Sequence, residues 1–80
     1  MDTRQTVALR FMRLCEEQNI SINALANSAG VPRSTLKNIL YGRSQNPGIV
    51  TLKKLCDGLD ITLGEFFSTP EFDALEQEIK

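Results

Sequence analysis

The most informative part of the chain is residues 21–42, Ser-Ile-Asn-Ala-Leu-Ala-Asn-Ser-Ala-Gly-Val-Pro-Arg-Ser-Thr-Leu-Lys-Asn-Ile-Leu-Tyr-Gly. Ser21 is a favourable N-cap for a first short helix. Gly30 can end that helix in the left-handed conformation, and Pro32 fits the first turn of a second helix because its missing N–H is not needed there. The stretch therefore predicts two short helices that meet at a glycine turn.

Two short helices joined in this way have the sequence form of a helix-turn-helix. In that motif one helix lies across the DNA backbone and the next enters the major groove. The second helix is predicted over residues 32–41, and it opens with polar and basic side chains. Its apolar residues recur at helical spacing and would hold it to a core: Leu36, Ile39 and Leu40.

The rest of the chain is also helical in its periodicity. A first helix is predicted over residues 3–18 and a fourth over residues 49–59. The buried stripe of the first helix is formed by Val7, Phe11, Leu14 and Cys15. Thr62 and Glu65 form a capping box that begins a short fifth helix ending at Phe67.

The chain has no strand pattern and no internal repeat. The predicted fold class is therefore all-α, a compact five-helix bundle that contains the helix-turn-helix and occupies residues 1–68. Residues 69–80 are predicted to form a short, acidic, amphipathic C-terminal helix that begins at Thr69-Pro70-Glu71. Three apolar residues would lie along this helix: Phe72, Leu75 and Ile79.

Length and composition restrict the classes of protein to consider. Eighty residues with 41% hydrophobic content suit one globular domain, and no apolar run approaches the ~20 residues of a membrane span. The N-terminus has no secretory pattern, so a cytoplasmic location is expected. The chain has two cysteines and no histidine, which predicts buried thiols and no metal site. Neither a glycine-rich phosphate loop nor a nucleophile–base pattern occurs, so neither a cofactor nor enzymatic activity is expected.

Charge is unevenly distributed along the chain, although the net charge is only −1. Residues 18–56 contain no acidic residue, and their bases are Arg33, Lys37, Arg43, Lys53 and Lys54. From residue 57 to the end, the acidic residues are Asp57, Asp60, Glu65, Glu71, Asp73, Glu76 and Glu78, against the single base Lys80. Because salt screens charges beyond about 8 Å, a basic middle segment can attract phosphates despite the acidic tail.

In order and spacing, several pieces of this sequence resemble the Cro/lambda-repressor-like family of helix-turn-helix regulators, also called the xenobiotic-response-element type. The resemblance covers about residues 7–67. The matching pieces are Leu-Cys-Glu-Glu-Gln-Asn-Ile-Ser, Ala-Leu-Ala, Ala-Gly-Val-Pro-Arg-Ser-Thr-Leu, Tyr-Gly-Arg, Asn-Pro, Thr-Leu-Lys-Lys-Leu and Gly-Leu-Asp-Ile-Thr-Leu-Gly-Glu-Phe-Phe. No single piece is specific, but their joint arrangement is.

The resemblance implies a sequence-specific transcriptional regulator that binds double-stranded DNA. Arg33, Ser34 and Asn38 occupy the positions that usually face base edges, and their chemistry suits guanine and adenine. The residues placed for phosphate contacts are Ser21, Asn23, Thr35, Lys37, Arg43 and Ser44. Residues 32–41 would enter the major groove.

The sequence departs from the family pattern at two places. Many members have Gln at the position of Ile22, where it contacts the DNA backbone, and Ile22 cannot donate a hydrogen bond. Members often have an Arg–Glu ion pair at the positions of Cys15 and Leu40, where both residues here are apolar in character. Replacing both members of a buried ion pair can be neutral or stabilising, so this pattern indicates a repacked core.

A homodimer is the expected assembly, because one helix-turn-helix reads too few base pairs to select a site in a genome. Phe72, Leu75 and Ile79 are the candidate dimer interface, with packing on their own monomer as the alternative. No small-molecule ligand is evident from the sequence. The alternative function is a protein-interaction module that keeps the helix-turn-helix fold without binding DNA, which the acidic isoelectric point and Ile22 would fit.

Overall fold

The structure, a computed structural model, describes residues 1–42 and 46–79. Its helices are α1 (Thr3–Gln18), α2 (Ile22–Ala29), α3 (Arg33–Leu40), α4 (Ile49–Gly58), α5 (Leu63–Phe67) and α6 (Pro70–Asp73). No strand occurs in those two ranges. The predicted all-α bundle is confirmed, and the helix bounds differ from the predicted ones by about one residue everywhere except at the C-terminus.

The helix ends follow local capping chemistry. Asp2 and Gln5 form a capping box at the start of α1, and Thr62 and Glu65 form the predicted capping box at the start of α5. The hydroxyl of Ser21 accepts a hydrogen bond from the Ala24 amide at 3.0 Å, which confirms Ser21 as the N-cap of α2. Each cap satisfies a backbone N–H that has no partner within its own helix.

The turn between α2 and α3 depends on Gly30. Its φ of +66° lies in the left-handed region, as the sequence predicts for the residue that ends α2. Pro32 is the N-cap of α3 rather than a residue of its first turn, because its ψ of 139° is extended and its carbonyl accepts from the Leu36 amide at 3.2 Å. The helix therefore begins at Arg33.

The core lies where α3 packs on α1 and α2 packs on α4. Its buried apolar residues are Val7, Ala8, Phe11, Leu14, Cys15, Leu25, Ala26, Val31, Leu36, Ile39, Leu40, Leu52, Leu55, Cys56, Leu59 and Phe66. Gly58 allows the close approach of α4 to α2, because a Cβ there would lie 3.1 Å from the Ala29 Cβ. Cys15 and Leu40 are both buried apolar residues of this core, in line with the repacking that the sequence indicates.

The predicted short C-terminal helix is present, but the prediction that it extends over Leu75 and Ile79 is wrong. The helix ends at Asp73, and residues 75–79 are not helical. Phe72 is half-buried with its ring centroid 5.0 Å from that of Phe67, whereas Ile79 is 85% exposed. A short segment cannot form a helix without packing, and the acidic residues Glu76 and Glu78 are unfavourable near the negative end of a helix dipole.

Arg10 joins α5 to α1. Its Nε donates to the Phe66 carbonyl oxygen at 2.9 Å, and its Nη2 donates to the Glu65 carbonyl oxygen at 3.0 Å. Its guanidinium carbon also lies 5.8 Å from the centroid of the Phe66 ring. A cation at these carbonyls satisfies acceptors at the end of α5 and interacts favourably with its dipole.

We expect Arg10→Met to lower the free energy of unfolding by about 1.5–3 kcal/mol, because the donors to two carbonyls are lost while the apolar stem remains. Arg13→Met is the matched control on the same helix. Arg13 lies 3.6 Å from Glu71 in an exposed ion pair, and removing it is expected to cost no more than about 1 kcal/mol. Urea unfolding of both variants at the same pH measures the difference, and equal losses would contradict the role given to Arg10.

Candidate nucleic-acid interface

The two sides of α3 differ sharply in burial. Leu36 and Ile39 are 0% and 1% exposed, and with Leu40 they hold the helix against the core. Arg33, Ser34 and Asn38, the residues predicted to contact bases, are all exposed. Because buried and exposed positions alternate at helical spacing, these three polar side chains lie on the surface that faces away from the core.

The residues predicted to contact phosphates have mixed environments. Asn23 and Lys37 are exposed, and Thr35 is half-buried. Ser21 is exposed and its hydroxyl oxygen accepts from the Ala24 amide, which leaves the hydroxyl proton available to donate to another group. Arg43 and Ser44, also predicted phosphate contacts, lie outside the described residues.

Ile22 has a structural role at the start of α2. It is half-buried and packs against the core cluster. Its side chain therefore contributes apolar contact rather than a hydrogen bond at this position. Any hydrogen bond from this end of α2 to a phosphate would come from the Ser21 hydroxyl, from Asn23 or from backbone amides, since helix N-termini favour anions.

The bases of the middle segment divide into two groups. Within the described ranges, Arg33 and Lys37 on α3 have no hydrogen bond or ion pair, so their charge is not neutralised by the protein. On α4, Lys53 pairs with Asp57 one turn away, whereas Lys54 is exposed. The unpaired charges of Arg33 and Lys37 thus lie on the helix that carries the predicted base contacts, whereas that of Lys54 lies on α4.

The two cysteines are buried and free, as the sequence predicts. Burial raises the pKa of the Cys15 thiol. Burial, with a further contribution from Asp57, also raises the pKa of the Cys56 thiol. Both residues therefore act as small apolar core residues rather than as reactive thiolates.

No group of three His, Cys, Asp or Glu side chains among the described residues is arranged to hold a metal ion. No helix among them is both long and apolar enough to cross a membrane.

Two further side chains lie beside the end of α3, and the sequence pattern did not single them out. Tyr41, the C-cap residue, is 64% exposed. Arg4 of α1 lies next to Gly42, which follows that cap. The motif contains no signal for Arg4, because the contact joins residues far apart in the sequence.

A capped α2, a left-handed glycine turn and an exposed, basic α3 fixed by a buried inner side define the helix-turn-helix class of DNA-binding domain. The chain belongs to the family of Cro/C1-type HTH DNA-binding domains, whose model matches residues 10–71. This membership confirms the family indicated by the sequence, and it identifies the chain as a DNA-binding regulator of that class rather than an enzyme.

Two solved structures are similar to this chain. The crystal structure of the prophage Lp1 protein 11 is 36% identical, with a TM-score of 0.82, and the match covers 94% of this chain and 100% of that one. A chain of the SinR protein/SinI protein complex is 28% identical, with a TM-score of 0.72, and the match covers 90% of this chain and 69% of that one. A comparison with curated protein sequences finds no match.

Proposed function

We propose that this protein is a sequence-specific transcriptional regulator that binds double-stranded DNA by inserting α3 into the major groove. The observation that carries the proposal is the arrangement of α3, whose inner side is buried while Arg33, Ser34 and Asn38 are exposed. An α-helix with its side chains is about 10–12 Å across, and the major groove is about 12 Å wide. The bundle therefore presents a rigid helix of the right size with hydrogen-bonding side chains outward.

Each of the three outward residues has a defined chemical role in this proposal. Arg33 is the first residue of α3, at the end of the helix that reads bases in helix-turn-helix proteins. Its guanidinium can donate two hydrogen bonds to O6 and N7 of guanine. Asn38 can bond to N6 and N7 of adenine in the same two-point manner, and Ser34 can serve either base.

The remaining contacts in this proposal are to phosphates and carry no sequence information. Lys37 provides charge, Thr35 and Ser21 provide hydroxyl donors, and Asn23 provides an amide. Arg43 and Ser44 belong to the same group by their position in the sequence. The acid-free stretch 18–56 lets these contacts form without repulsion from neighbouring carboxylates.

We expect Arg33→Ala to lower affinity for the selected site by about 1–3 kcal/mol and to relax preference at one base position. Lys37→Ala is expected to weaken binding to all DNA sequences similarly. It is also expected to reduce the slope of log K against log salt concentration by about 0.9. Selection of bound duplexes from a random library, followed by titration at several salt concentrations, measures both effects.

Lys54→Ala is the matched control for these variants, because it removes an exposed base on α4 that has no assigned contact. We expect this variant to select the same DNA sequence and to bind it with nearly the same affinity. If Arg33→Ala selected the same sequence as the unchanged protein with the same stringency, Arg33 would not read a base.

We further propose that the protein acts in the cytoplasm as a homodimer on a palindromic operator, with half-sites about 34 Å apart. The proposed dimer interface is formed by the tail residues Phe72, Leu75 and Ile79. Ile79 supports it most, because it is 85% exposed and makes no core contact, whereas Phe72 already packs on Phe66 and Phe67. Two or three residues bury far less than the roughly 1,000 Å² of a stable interface, so the dimer is expected to be weak.

The interface is tested by the double variant Leu75→Lys with Ile79→Lys, which leaves the packed ring of Phe72 in place. We expect it to shift the monomer–dimer equilibrium towards monomer in sedimentation at increasing concentration. Val50→Lys is the control, because Val50 is 65% exposed at the start of α4. Loss of dimer in the control but not in the tail variant would move the interface to α4.

A protein-interaction module is the second candidate function, and one structural observation favours it. Ile49 and Val50 are adjacent and 61% and 65% exposed, so an apolar patch faces solvent at the start of α4. One of the similar structures, moreover, is a complex of two proteins by its own name. Binding of duplex DNA that weakens steeply with salt supports the regulator, and the absence of such binding supports the interaction module.

A further inference from the structure

Arg4 lies outside residues 10–71, which match the family model, and it is packed against the end of α3. A Cβ built on Gly42 would lie 3.5 Å from Nη1, 3.6 Å from Cζ and 3.7 Å from Nη2 of Arg4. The near-equal distances show that the flat side of the guanidinium covers Gly42. A residue from the first turn of α1 thus places a cation directly after the C-cap of α3.

Gly42 adopts a left-handed backbone conformation at this turn. Its φ of +90° is in the region that residues with a side chain rarely adopt. The distances of 3.5–3.7 Å are ordinary van der Waals contacts, so the guanidinium packs on the turn without strain. Arg4 is half-buried and its Nε is inaccessible to solvent, which restricts the guanidinium to this place.

The charge of Arg4 is not neutralised by any described residue. Its Nε is buried without a hydrogen-bond partner, and none of the described carboxylates forms an ion pair with it. Asp2 and Glu78 line the same surface pocket as Arg4, and each carboxylate has another hydrogen-bond partner. Asp2 accepts from the Gln5 amide at 2.7 Å, and Glu78 accepts from the Thr3 hydroxyl at 2.6 Å.

The position of Arg4 at one end of α3 determines which ligand its positive charge can contact. Arg33 is the first residue of α3 and Gly42 follows its C-cap, so Arg33 and Arg4 mark opposite ends of the helix. An eight-residue helix is about 12 Å long, and a major groove about 12 Å wide has a phosphate backbone on each side. A helix lying in the groove brings its carboxyl end close to one of those backbones.

We propose that Arg4 binds a DNA phosphate beside the carboxyl end of α3, as a contact supplied from outside the helix-turn-helix. This inference rests on the proposed function, since it assumes that α3 enters the groove. A guanidinium already held flat on Gly42 loses little conformational freedom on binding, and its planar donors match phosphate oxygens. Because phosphates are the same in every sequence, Arg4 contributes affinity without preference.

The test uses the full chain and a mixed-sequence duplex titrated at several salt concentrations. Arg4→Gln is expected to reduce the slope of log K against log salt by about 0.9 and to weaken binding several-fold, with the selected sequence unchanged. Arg4→Lys keeps a positive charge and is expected to keep the slope. Arg13→Gln is the matched control, because Arg13 is on the same helix but pairs with Glu71, and its slope is expected to equal that of the unchanged protein.

The outcomes separate this inference from the proposed function. If the unchanged protein binds duplex DNA and Arg4→Gln has the same slope, Arg4 has only a structural role and the inference is overturned. If the unchanged protein binds no duplex, the proposed function itself fails. Thermal unfolding checks that each variant is folded, and Arg4→Met, which keeps an unbranched side chain at this position, replaces Arg4→Gln if the latter is unfolded.

Discussion

Burial of one side of α3 determines both the stability and the orientation of this helix. An eight-residue helix is too short to be stable alone in water, so it exists only because Leu36, Ile39 and Leu40 are removed from solvent. Leu36 and Ile39 are almost completely inaccessible, which fixes the rotation of the helix about its axis. Once that rotation is fixed, the side that carries Arg33 and Asn38 has to face solvent.

The other elements hold α3 in place from several directions. α1 packs along it, and α2 and the left-handed Gly30 set the angle at which the chain enters it. α4 approaches α2 closely because Gly58 has no side chain, and α5 is attached to α1 by Arg10. Small local features thus combine to keep one short helix rigid on the surface, which is what reading of DNA by shape and hydrogen bonds requires.

Basic and acidic side chains lie in different parts of the structure, as they do in the sequence. α2 and α3 contain no acidic residue, whereas α6 and the tail contain Glu71, Asp73, Glu76 and Glu78. Two of these acids contact α1, since Glu71 pairs with Arg13 and Glu78 accepts from Thr3. The acidic tail is therefore tied to the side of the bundle formed by α1 and α6. This explains how a chain of net charge −1 keeps a basic surface on α3.

Features set by neighbouring residues could be predicted from the sequence, and features set by distant contacts could not. The caps at Ser21 and Thr62 and the turn at Gly30 depend on residues three or four positions apart, and the sequence predicts each of them. The C-terminal helix was predicted too long, because helical spacing of apolar residues is not sufficient where packing is absent. The sequence does not predict the position of Arg4, because Arg4 is in α1 whereas its neighbour Gly42 follows α3. No local pattern links the two residues.

The proposed DNA interface is tested most directly by titrating the isotopically labelled full chain with duplex DNA and following amide chemical shifts in NMR spectra. We expect the largest changes at the start of α2, in the turn at Gly30 and along α3 from Arg33 to Asn38. Shifts confined to the start of α4 and the tail, with α3 unaffected, would contradict the proposed interface.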